Sequence, residues 1–144
     1  MNRSATVCAL LAVVGVVGVV PAASRAAGTL YDCTITQKRE GVDWISEKVG
    51  IVIRQGQPAV ISDSVILHFY GKPIETTQVR NRANKLDVRW TLRGARDDAN
   101  QTVNHMDYNA RINKQTGAFS LYAKPDGYPN RFSGKGNCVT KTAK

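Results

Sequence analysis

Histidine is nearly absent from this chain: His68 and His105 are the only two in 144 residues. A histidine-based metal centre has little material here, and a nucleophile would have few bases to stand beside it. No HxH, HExxH or DxDxDG spacing occurs, and no GxSxG surrounds any serine. Cysteine is scarce as well. Cys8, Cys33 and Cys138 show no CxxC spacing and have no histidine close by, which argues against zinc. Internal repeats, low-complexity tracts and linkers are missing. No apolar run reaches the roughly 18 to 20 residues of a bilayer span.

The longest apolar run is Val7 to Val20, VCALLAVVGVVGVV. Arg3 precedes it, and Pro21 with the small-residue stretch Ala22 to Ala27 follows, with Arg25 as its one charge. Positive, then apolar, then small is the order of an export signal, so residues 1–27 are read as a signal peptide cut after Ser24 or Ala26. Cys8 sits at the start of the apolar run and not after it, which argues against a lipid-modified cysteine. The remaining 28–144 are expected to form a single domain in the periplasm or outside the cell. Cys33 and Cys138 bracket nearly all of it and are expected to pair in an oxidising compartment.

Within that domain apolar residues recur at every second position, interrupted at short intervals by glycine or proline. The pattern predicts an all-β domain, an antiparallel meander of about eight strands. Leu86, Val88, Trp90 and Leu92 form one dry strand face, and Met106, Tyr108, Ala110 and Ile112 a second. Asn113 to Gly117 reads as a hairpin turn, after which Phe119, Leu121 and Ala123 continue inward. Shorter strands are expected over Leu30–Gln37, Val49–Arg54, Ala59–Ser62 and Val65–Tyr70. The last of these, VILHFY, is apolar on both faces and places His68 in a buried or half-buried structural role. Arg39–Ser46 and Ile74–Ala83 carry the least pattern, and each has room for a short helix or a long loop. In the final strand Gly134 and Gly136 share a face with Phe132 and Cys138, as at the seam of a small barrel. Cys33 shares a face with Tyr31 and Ile35. Both cysteines thus point inward, as a staple between first and last strands requires. Parity leaves open whether the sheet closes into a barrel or flattens into a sandwich.

Charge is the other positive feature. Twenty Lys and Arg stand against 11 Asp and Glu, a net charge of +9. Loss of Arg3 and Arg25 with the leader still leaves an excess of about seven. Arg80, Arg82, Lys85, Arg89, Arg93 and Arg96 fall within 17 positions, and Arg111 joins them from the next strand. This is the candidate patch for an anionic envelope component or an acidic extracellular protein. The alternative is a basic surface that only keeps the domain soluble. Nucleic acid is not expected, because aromatics are not interleaved with these charges. Neither a cofactor, a metal nor a stable membrane anchor is expected.

Other clusters carry weaker signals. His105 lies near Asp107 on one strand face, with Asp97 and Asp98 in the preceding turn, and a solvated face is the simpler reading. Glu40, Asp43 and Glu47 surround Trp44, yet a glycosidase needs two carboxylates facing each other across a bond, and sequence proximity does not supply that. Asn100-Gln101-Thr102 matches a glycosylation acceptor, a match that is common by chance. With no nucleophile, base and orienter converging, a binding module is expected over an enzyme, and a small hydrolase is the lesser alternative.

Three segments carry a resemblance: Tyr31-Asp32-Cys33, the hairpin Tyr108 to Gly117, and the ending Phe132 to Cys138. Together they resemble small secreted β-domain proteins of proteobacteria that have no assigned activity. The opening Tyr-x-Cys paired with a terminal cysteine is also loosely similar to C-type lysozyme inhibitors, which are small β-barrels. An inhibitor-like role toward a lysozyme or protease is what that resemblance implies. The chain lacks the SGARY-type loop and the lipoprotein signal of those inhibitors, so no inhibitory residue carries over.

Overall fold

The computed structural model describes residues 27–40, 42–96 and 99–143. All of the proposed leader, residues 1–27, except Ala27, and the pair Asp97 and Asp98 lie outside the described residues. Among the described residues nine strands are present: β1 Gly28–Lys38, β2 Lys48–Ile53, β3 Ala59–Asp63, β4 Ile74–Thr76, β5 Val79–Asn81, β6 Lys85–Arg96, β7 Thr102–Asn113, β8 Ala118–Pro125 and β9 Phe132–Ala143. One helix, α1 Ser64–Tyr70, lies between β3 and β4.

All nine strands belong to one antiparallel sheet in the order β4-β3-β2-β1-β9-β8-β7-β6-β5. Its two end strands are consecutive in the chain. The segment from β4 to β5 first pairs with β3, through Ile74 on Ile61, and then with β6, through Val79 on Val88. Between these contacts the amide of Arg89 donates to the carbonyl of Gln78 at 3.0 Å, and the Thr76 hydroxyl donates to the carbonyl of Arg89 at 2.7 Å. The sheet is therefore a nearly closed barrel, which removes the free edges of an open meander. The stretch Ile74–Ala83, expected as loop or helix, is the segment that completes this closure.

The interior follows from strict alternation. Tyr31, Cys33 and Ile35 from β1, Leu86 to Leu92 at every second residue of β6, Met106 to Ile112 in β7 and Phe119 to Ala123 in β8 are all buried. Trp90 and Tyr108 are direct cross-strand partners, and their rings stack with centroids 5.2 Å apart.

The segment VILHFY is a correction to the sequence reading: it forms α1, not a strand. Asp63 is the N-cap, its carboxylate accepting from the Ile66 amide at 2.7 Å, and Gly71 at φ 67° ends the helix by donating to the Leu67 carbonyl. The apolar residues then spread around a helix surface. Val65 and Ile66 enter the core and Phe69 packs against it, while Leu67 and His68 face outward. His68 is consequently exposed, with its ring edge-on to Phe69 at 4.8 Å, and does not hold the buried role expected of it. The helix and the loop carrying Val42, Trp44 and Ile45 cover one end of the barrel. Trp44 stacks on Phe69 at 5.8 Å, and the Tyr108 hydroxyl donates to the Trp44 carbonyl at 3.0 Å.

First and last strands meet along β1 and β9, with Cys33 directly opposite Cys138 and joined to it by a disulfide. The amide of Cys138 donates away from β1, to the carbonyl of Gly117 at 2.8 Å, so the cysteines form a non-hydrogen-bonded pair, where side chains approach most closely. A bulge between Ile35 and Gln37 draws β1 onto Gly134 and Gly136. A Cβ at Gly136 would collide with the backbone of Thr34 and Ile35, and one at Gly134 would sit 2.8 Å from Ile35 Cγ2 and Ile45 Cγ2. Both glycines are the close approach anticipated at the seam.

Candidate functional site

The outer face of β5 to β9 can be built row by row from the pairing register. One row reads Arg80, Asp87, Arg111, Ser120 and Lys135, each opposite the next on the adjoining strand. The next row reads Arg89, Asn109, Tyr122 and Ser133, and a third Thr91, Asp107 and Lys124. These side chains point outward because their neighbours in sequence fill the barrel.

Arg80, Arg82, Lys85, Arg89, Arg111 and Lys135 line a shallow open groove of about 560 Å³ on this face. Its one carboxylate, Asp87, is engaged by Arg111, whose Nε lies 3.5 Å away. No described carboxylate lies within ion-pairing distance of Arg80, Arg82 or Arg89. Like charges held this close raise the local positive potential and favour an anion in the groove.

The six arginines expected to share a patch are thus divided. Arg80, Arg82, Arg89 and Arg111 come together. Arg93 lies four residues further along β6, opposite His105, and its amide and carbonyl are both bonded to the Tyr70 hydroxyl, at 2.7 and 3.2 Å. Arg96 lies further still. Gly94, at φ 67°, breaks the alternation so that Ala95 turns inward, and Arg96 Nη1 donates to Asn100 Oδ1 at 3.0 Å. Lys85, part of the basic cluster read from the sequence, also lines the groove, whereas Lys135 was missed by the sequence reading because only the register of β8 on β9 brings it into the row.

A second groove, about 640 Å³, adjoins the first and shares Arg89 and Arg111 with it. Lys124, Arg131, Tyr122 and Asn109 complete its character. Tyr122 remains 41% exposed, and the Arg111 guanidinium lies 5.9 Å from its ring centre. Asn109 Oδ1 is buried and has no hydrogen-bond partner among the described residues. Asp107, the acidic member, accepts from the Thr91 hydroxyl at 2.7 Å.

His105 is half-buried on β7, with Nε2 3.9 Å from Asp107 Oδ2 and Nδ1 3.6 Å from Asp126 Oδ2. Asp126 had not been associated with it; the Asp126 amide donates to the His105 carbonyl at 2.9 Å, which sets the pair together. Among the described residues no group of three His, Cys, Asp or Glu is arranged to hold a metal ion. Around Trp44, the Lys38 ammonium lies 3.9 Å from Glu47, and Asp43 is exposed.

Under the helix, Asp63 is buried beside Ser46, and burial raises its carboxyl above the usual range against the opposing pull of its hydrogen bonds from Ile66, Ser46 and Val65. Burial, and secondarily the charge of Asp63, pushes the Tyr108 phenol up. Asp63 is buried under α1 and Tyr108 inside the barrel, where it also borders the second groove. Among the described residues no helix is long and apolar enough to cross a membrane.

The fold and the site together define a small disulfide-stapled antiparallel barrel with a cationic outer face. Compared with family models, curated proteins and solved structures, the chain matches none of them.

Proposed function

We propose that this domain is an exported binding module that captures an anionic partner on the outer face of β5 to β9. The observation that carries the reading is the first groove, where six cations surround a single carboxylate that is already paired with Arg111. The signal-like leader and the Cys33–Cys138 disulfide support an oxidising compartment, either the periplasm or the exterior. Rim charges of this kind speed encounter and set partner choice more than they add raw affinity. The test is capture from envelope extract with the wild type and the double variant Arg80→Glu/Arg89→Glu side by side. Recovery of an acidic component by the wild type and its loss with the variant supports the reading; equal recovery of every component by both refutes it.

A further inference from the structure

We infer that the partner is a linear acidic polysaccharide, and that the two adjoining grooves are consecutive subsites for it. The inference rests on the anion-binding reading above and names the ligand class. The row that carries Arg80 on β5, Arg111 on β7 and Lys135 on β9 crosses five strands, which at a strand spacing of about 4.8 Å is roughly 19 Å. A lone phosphate or carboxylate engages one or two such side chains. A polymer bearing a charge on successive units engages the row and continues past Arg89 and Arg111 toward Lys124 and Arg131.

The second groove adds what pure charge does not need. Tyr122 offers an exposed ring within a wall of cations, and the C–H face of a pyranose packs on such a ring while its acidic substituent meets Arg111 or Arg89. Asn109 supplies the floor. Its unpaired Oδ1 is an acceptor waiting for a donor, and the side chains beside it on the register, Arg89 and Tyr122, are both exposed and able to move aside for a sugar hydroxyl. A membrane surface would call for an apolar group projecting beyond the cations. Single-stranded nucleic acid would call for several successive stacking rings, and this face offers one.

The experiment measures binding of fluorescent polygalacturonate to the wild type, Tyr122→Ala, Tyr122→Phe and Arg89→Ala, with dextran, polyphosphate, oligo(dT) and phosphatidylglycerol vesicles as parallel probes. Polygalacturonate should bind and neutral dextran should not. Tyr122→Ala should weaken polygalacturonate about tenfold, Tyr122→Phe should retain binding, and Arg89→Ala should weaken polygalacturonate and polyphosphate alike. Unchanged melting temperature of each variant confirms that folding is intact, as expected for exposed positions. Tyr122→Ala binding polygalacturonate as the wild type does would overturn the inference. So would polyphosphate, oligo(dT) or vesicles binding as tightly as the polysaccharide, although anion capture itself would then survive. Failure of every polyanion to bind would remove both readings.

Discussion

Cys33 and Cys138 face each other across the β1–β9 seam as direct register partners, 105 residues apart in the chain. The bond ties the first strand to the last at the place where a meander barrel must be closed by its ends. It also restricts the unfolded chain, an effect worth about 4 to 5 kcal/mol for a loop of this length in the chain-entropy model. Cys33→Ala/Cys138→Ala should lose about 2 to 5 kcal/mol in urea unfolding while keeping the far-ultraviolet spectrum of a β-protein. Non-reducing peptide mapping of the native protein should recover the linked pair, and two free thiols there would contradict the structure.

Gly136 should tolerate no side chain. The bulge at Ile35 and Gln37 presses the β1 backbone onto it, so even one methyl group must push the strands apart. Gly136→Ala is expected to destabilise by several kcal/mol, about the cost of overpacking a core. Gly56→Ala makes the comparison: its added Cβ meets nothing within 4 Å, and its cost is limited to strain at φ 70°. Thermal melts of the two variants should rank Gly136→Ala well below Gly56→Ala.

Asp63 gives a pH signature. Its folded carboxyl is raised above the ordinary value of 3.8, chiefly by burial, so the native state binds the proton more readily than the unfolded state does. The resulting stabilisation is fully present below 3.8 and is lost as pH rises through the raised folded value. Asp63→Asn keeps an oxygen to cap α1 and abolishes that titration. The stability of wild type relative to Asp63→Asn should therefore increase as pH falls through this window, measured by unfolding at a series of pH values. Asp63→Ala should cost about 1 kcal/mol or more at every pH, since the buried Ile66 amide loses its acceptor.

The alternation of β1, β6, β7 and β8 was plain in the sequence because each strand has one dry and one wet face, and the inward set at Leu86, Val88, Trp90 and Leu92 matches the barrel interior residue for residue. Helix α1 was hidden for a definite reason. An apolar run of six is ambiguous in period, and the deciding signals were the flanking Asp63 and Gly71, an N-cap and a left-handed C-terminal glycine. The β4–β5 segment was hidden because it changes partners halfway, so neither half is long enough to display a period.

For the cationic face, the arginines of β5 to β7 were visible through their spacing. Tyr122 and Lys135 were not, since they join the rows only through cross-strand register, which no local pattern records. Arg93 keeps the outward parity of Arg89 but lies four residues further along β6, and Arg96 follows Gly94, where the alternation breaks, so neither lines the two grooves.

The central claim is that the positive charge acts at one place and is not spread evenly over a soluble surface. Elution from a sulfated-polysaccharide column in a salt gradient tests it, comparing Arg80→Glu/Arg89→Glu with the charge-matched pair Arg39→Glu/Lys72→Glu, whose side chains are exposed and lie outside both grooves. Both pairs change the net charge equally, so only position differs. The account predicts that the groove pair elutes at much lower salt than the wild type while the control pair shifts little. Equal shifts for the two pairs would contradict it.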